Sequence, residues 1–116
     1  MQTPAQIVFH QLPASPALEA EIGRRIDELE HVFDRIVSCR VMVEGPHGHH
    51  QQGGVFAVHI DLHVPGADIV VDRTRDGQVA HEDPYVAVHD AFRAARRQLE
   101  DHMRRRRGDV KNHSPS

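Results

Sequence analysis

The chain has 116 residues, about one domain's worth, and 39% of them are hydrophobic, enough for one real core. Its formal net charge of −3 argues against a non-specific nucleic-acid coat, which would be basic overall. The single cysteine, Cys39, rules out an internal disulfide, and no apolar run has the length of a membrane span or the form of a secretory leader, so a cytoplasmic chain is expected.

Residues 5–9, AQIVF, predict a first strand with Ala5, Ile7 and Phe9 on one face. HQLPASP turns the chain, with Ser15 as a helix N-cap and Pro16 as the first helical residue. Leu18, Ile22, Ile26, Leu29 and Phe33 recur at helical spacing and predict an amphipathic helix over 16–33. Gly23 weakens it by about 1 kcal/mol relative to Ala. Its outer face is mixed, with Glu19, Arg24, Arg25, Asp27 and Glu28.

VSCRVMVE predicts a second strand with Val37, Cys39, Val41 and Val43 inward and Ser38, Arg40, Met42 and Glu44 outward. Cys39 reads as an ordinary buried thiol. GPHGHHQQGG has no apolar residue and predicts a connecting loop. The third strand is the clearest: Phe56, Val58, Ile60, Leu62 and Val64 alternate with Val55, Ala57, His59, Asp61 and His63. Pro65-Gly66 predicts a tight turn, DIVVDR a short fourth strand, and TRDGQVAHE a loop.

The stretch DPYVAVHDAFRAARRQLEDHMRRRR, residues 83–107, predicts one long helix capped by Asp83 and started by Pro84. Tyr85, Val88, Phe92, Ala95 and Leu99 form its apolar stripe. Arg93, Arg97 and Arg104 form a second stripe roughly 100–140° away from Phe92, with Arg96 between the two. Residues 93–107 hold seven Arg against Glu100 and Asp101, a local net of +5 that leaves −8 for the remainder. Such asymmetry points to an oriented electrostatic contact. Glu100 is spaced to pair with Arg97 or Arg104.

The resulting pattern is α+β, in the order β-α-β-β-β-α: a four-stranded mixed sheet with two helices packed on one face. Residues 1–107 read as one domain and 108–116 as a short polar tail.

The residues that carry a family resemblance are Leu29 with Phe33-Asp34-Arg35-Ile36, then Asp83, Tyr85, Ala87 and Val88, then Arg97-Gln98-Leu99. In this order, and within this pattern, the chain resembles the ribosome hibernation promoting factors, the ribosome-associated inhibitors also called sigma-modulation proteins. The resemblance covers nearly the whole chain and is to the short forms, which lack the C-terminal dimerisation domain of the long ones. It implies a partner, the small ribosomal subunit and its RNA. It also implies a place in the decoding channel, where such a factor blocks translation and preserves idle ribosomes. By matching position, Arg25 and Arg97 stand at basic sites of the two helices. Arg104, Arg105 and Arg107 fall in the basic C-terminal turns, and Arg35 belongs to the shared Asp-Arg pair. Glu28 and Ala94 stand where relatives often carry lysine, with Arg24 and Arg93 beside them. The expected RNA-contacting set is Arg24, Arg25, Arg35, Arg93, Arg96, Arg97, Arg104, Arg105 and Arg107. Arginine suits phosphate through its planar, bidentate donors.

Two rival readings rest on the 11 histidines and on the open sheet face. His47, His49 and His50 share one loop without cysteine partners, and His59 and His63 lie roughly 13 Å apart along a strand, too far for one ion alone. No metal or other cofactor is expected. His59, Asp61 and His63 lack a nucleophile and a pocket, so no catalytic site is expected either. A protein-interaction module on the polar sheet face is the remaining alternative.

Overall fold

The computed structural model describes residues 1–46, 54–72 and 80–112, with side chains as far as Arg107. Strand β1 spans Gln6–His10 and leads into helix α1, Pro16–Val32. Ser15 starts that helix as its sequence predicts: its backbone is extended and its Oγ accepts the Leu18 N–H at 3.2 Å. At the other end Phe33 caps the helix, donating its N–H to the Leu29 carbonyl.

Strand β2, Ser38–Glu44, lies parallel to β1, with Ile7 opposite Val41 and Phe9 opposite Val43. Parallel partners need a crossover, and α1 provides it. Strand β3, Phe56–Val64, runs antiparallel to β2, and β4, Ala67–Val71, returns antiparallel to β3. The β3–β4 link is the two-residue turn Pro65-Gly66, where Gly66 has φ of 87°. Proline at the first central position and a positive φ at the second make it a type II turn, which suits glycine there. The path through the sheet is β1-β2-β3-β4.

One strand departs from the expected loop at 74–82. Ala80–His81 forms β5 and pairs with Phe56 and Ala57 of β3, so the sheet has five strands rather than four. Two residues of pairing are too short to leave a periodic signal.

Helix α2 spans Pro84–Asn112, continuing five residues into the segment read as a polar tail. Asp83 caps its start, accepting the Tyr85 N–H at 2.9 Å. The inward residues of β2, β3 and β4 form one core with Leu18, Ile22, Ile26 and Leu29 of α1 and Ala87, Val88, Ala91, Phe92, Ala95 and Leu99 of α2. Both helices therefore cover the same sheet face. Arg40, Asp61 and His63 are exposed on the other.

The buried stripe of α2 differs from the expected one at two places. Tyr85 sits in the first turn, outside the core cluster, and is 45% exposed. In its stead the alanines Ala87, Ala91 and Ala94 are buried, which lets the helix approach the sheet closely. Cys39 is buried as expected, and burial, with Glu30 and Asp61 nearby, pushes its thiol up to about 12. It is an inert core side chain.

Candidate nucleic-acid interface

Helix α2 displays its arginines because its apolar residues fix which side faces the sheet. With Val88, Phe92, Ala95 and Leu99 buried, Arg93, Arg96, Arg97 and Arg104 through Arg107 are all exposed. Their environments differ. Arg96 Nε reaches Glu100 at 3.4 Å, and Arg104 pairs with Asp101. Glu100 thus pairs backwards with Arg96 and with neither Arg97 nor Arg104, the partners its spacing had also allowed. Among the described residues, no acid lies within ion-pair reach of Arg93, Arg97, Arg105 or Arg107.

The α1 arginines are held by acids. Arg24 meets Glu21 at 2.8 Å and Glu28 at 3.3 Å, and Arg25 Nε meets Glu21 at 2.9 Å. The Arg24 hydrogen bonds, followed by that of Arg25, hold the Glu21 carboxyl below its ordinary range. The same bond to Glu21 pushes Arg24 up. Glu21 was absent from the expected site, although its three- and four-residue spacing to Arg24 and Arg25 is a legible pairing signal.

The two helices run in the same direction. Arg25 Nη1 lies 3.0 Å from His89 Nδ1, and farther along both helices Val32 and Phe33 face Leu99 and Met103 across a groove. At 100° per residue, His89, Arg93, Arg96, Arg97 and Arg104 fall within about 100° of arc. The Arg25 contact at His89 therefore attaches the first helix to the start of the arginine stripe. His89 is the joint that sequence reasoning missed, since nothing local marks a contact across 64 residues.

A family model described as sigma 54 modulation protein / S30EA ribosomal protein matches residues 5–107. The chain belongs to this family. No curated protein sequence matches it significantly. Several solved structures share the fold, among them these two. A ribosomal subunit interface protein from Coxiella burnetii superposes with a TM-score of 0.67 at 16% identity, over 85% of this chain and 96% of that one. The Protein Y N-terminal domain of Thermus thermophilus gives 0.66 at 16% identity, over 88% of this chain and 99% of that one.

Set on this member of the S30EA family, the remaining expected contacts separate. Arg35 is exposed on the link between α1 and β2 and, with Arg107, borders the groove at the far end of the helices, apart from Arg25. Arg106, the one arginine of the basic run outside the expected set, donates to the Pro65 carbonyl at 3.0 Å. Ala94 is buried, so no basic contact can stand at that position without displacing core packing.

The outer sheet face carries its own acid–histidine pairs. His59 lies 3.4 Å from Glu44, and His63 pairs with Asp68 on the neighbouring strand. The two histidines thus have separate partners, and among the described residues no group of three or more His, Cys, Asp or Glu is placed to hold a metal. The loop histidines His47, His49 and His50 lie outside the described residues. No helix among them is long and apolar enough to cross a membrane.

Proposed function

We propose that this chain is a ribosome-associated translation inhibitor that sits in the decoding channel of the small subunit and holds ribosomal RNA phosphates with the two helices. Membership of the S30EA ribosomal protein family supports ribosome association. The likeness to the Coxiella burnetii ribosomal subunit interface protein points the same way. The observation that carries the RNA reading is the pair Arg93 and Arg97, exposed on a helix whose other side is fixed in the core. Guanidinium groups without local acid partners are the ones with most to gain from a phosphate.

In this reading Arg93 and Arg97 make the primary contacts. Arg104 and Arg96 join them by exchanging Asp101 and Glu100 for phosphate. Arg24 and Arg25 contribute from α1 to the extent that Glu21 releases them. Arg35, Arg105 and Arg107 extend the basic end. The role is one of binding and occlusion, without a catalytic step.

The test is co-sedimentation with separated subunits across a salt series, for the parent and for Arg93→Gln/Arg97→Gln/Arg104→Gln. Exposed charges usually contribute under ~1 kcal/mol each to stability, so the variant keeps its fold. Small-subunit binding should fall sharply, and the log-affinity against log-salt plot should become shallower by about one unit per lost contact. Equal affinities and slopes would overturn the assignment. Salt-resistant binding to a protein partner would favour an interaction module instead.

A further inference from the structure

Where the apolar stripe of α2 outruns the sheet, it leaves an open groove of about 470 Å³. Its floor and walls are Val32, Phe33 and Ile36 from the end of α1, Val64 and Pro65 from the hairpin, and Leu99 and Met103 from α2. Among the described residues three large hydrophobic side chains are markedly exposed, and two of them, Val32 at 51% and Met103 at 38%, stand in this groove. Exposed apolar surface gathered into one concavity is the ordinary mark of a binding site.

The rim is cationic. Arg35, Arg106 and Arg107 border the groove, with His102 beside them and Asp34 as the one acid. Arg106 and His102 both point at the Pro65 carbonyl, at 3.0 and 3.4 Å, which fixes their heads over the hairpin without neutralising the arginine. An occupant must therefore offer apolar bulk at its centre and negative charge at its edges.

We propose that this groove docks an acidic protein segment carrying bulky aliphatic side chains. Nucleic acid would satisfy the rim but not the floor. Bases are read by stacking on aromatic faces and by edge hydrogen bonds. The floor offers one aromatic ring, Phe33, and is otherwise aliphatic. The site is also turned away from the arginine stripe: at 100° per residue, Arg93, Arg97 and Arg104 lie roughly 120–160° around α2 from Leu99. The groove and the stripe of Arg93, Arg97 and Arg104 can therefore be occupied together. Arg35 and Arg107 border the groove and also stand among the proposed RNA contacts, but the apolar floor and Arg106 do not, and the docking rests on these.

The probe is a synthetic peptide, Glu-Glu-Leu-Leu-Glu-Glu-Leu-Leu-Glu-Glu, titrated into the protein while the methyl resonances of Val32, Ile36, Val64 and Leu99 are followed. These methyls should shift together and saturate. Replacing the leucines of the peptide by serine, or its glutamates by lysine, should abolish the shifts. Met103→Glu alters an exposed residue outside the proposed RNA contacts, so the fold is kept, and it should weaken the peptide by about tenfold or more. Arg106→Gln should weaken it by about threefold. The Arg93→Gln/Arg97→Gln/Arg104→Gln variant should bind the peptide like the parent. Four results would overturn the proposal. They are no methyl shift at millimolar peptide, equal binding of the serine control, oligouridylate moving the same methyls, and concentration-dependent shifts in the protein alone, which would mean that a second copy covers the groove.

Discussion

Glu21 sets how much of the α1 charge is available. It holds Arg24 and Arg25 at once, so its negative charge offsets both guanidinium groups where they would meet a phosphate. Glu21→Gln should therefore strengthen small-subunit binding, measured at neutral pH and constant salt, if α1 faces RNA. Unchanged binding would remove α1 from the interface. The same carboxylate has a pH signature. Its folded-state value lies below the ordinary 4.5, so its contribution to stability is present above the unfolded value and is lost as pH falls through the lower folded one. Unfolding followed over about pH 3 to 6 should show a slightly steeper acid loss in the parent than in Glu21→Gln. Arg24 and Arg25 were legible as basic residues of a helix face. Their neutralisation was legible only through the Glu21 spacing, and the His89 contact not at all, because it depends on how two distant helices pack.

At the scale of elements, the structure tests which periodicities were sufficient. Strand β3 is legible from strict alternation over ten residues, 55–64, and its inward set is buried from Val58 to Val64, although Ala57 of the opposite set is buried as well. Strand β5 has two residues and depends on pairing with the end of β3, so no local pattern could show it. Tyr85 shows the other limit: it shares the periodicity of the apolar stripe, but how far the core extends along a helix is not readable from period alone. Phe92 is 5% exposed at the centre of that stripe, and Phe92→Ala should cost about 3–5 kcal/mol by chemical denaturation. Tyr85→Ala should change stability by under about 1 kcal/mol. Gly23 offers the opposite sign. A Cβ there would meet nothing within 4 Å, and the helical backbone gives Ala no strain. Gly23→Ala should raise stability by up to ~1 kcal/mol, read as a higher denaturant midpoint at constant slope.

For the molecule as a whole, two helices on one face mean that the sheet presents a second surface with different chemistry. Met42 and Val70 are half-buried there among Arg40, His59 and Asp61. If the helices face RNA, Val70→Glu should leave subunit binding unchanged while the protein stays folded. A loss of binding would assign the partner to the sheet. The total charge of −3 gave no hint of this polarity, whereas the local excess of arginine along one helix did. The apolar groove was not legible at all, because its floor is assembled from α1, the β3–β4 hairpin and α2, and each contributes residues that alone read as core.

Helix α2 leaves the sheet near Leu99 and continues to Asn112. Its backbone amides should therefore exchange with solvent in a gradient, slowest from about Val88 to Leu99 and fastest beyond Met103, where opening needs no disruption of the core. The arginine row crosses this gradient. Arg93 and Arg97 are held on the well-protected part and are already ordered before they meet a ligand, whereas Arg104, Arg105 and Arg107 sit on turns whose ordering has its own entropic cost. Arg97→Gln should therefore weaken subunit binding more than Arg105→Gln, although the two side chains carry the same charge. A hydrogen-exchange profile of the free protein, set beside single-arginine affinities, would test whether preorganisation orders the contacts in this way.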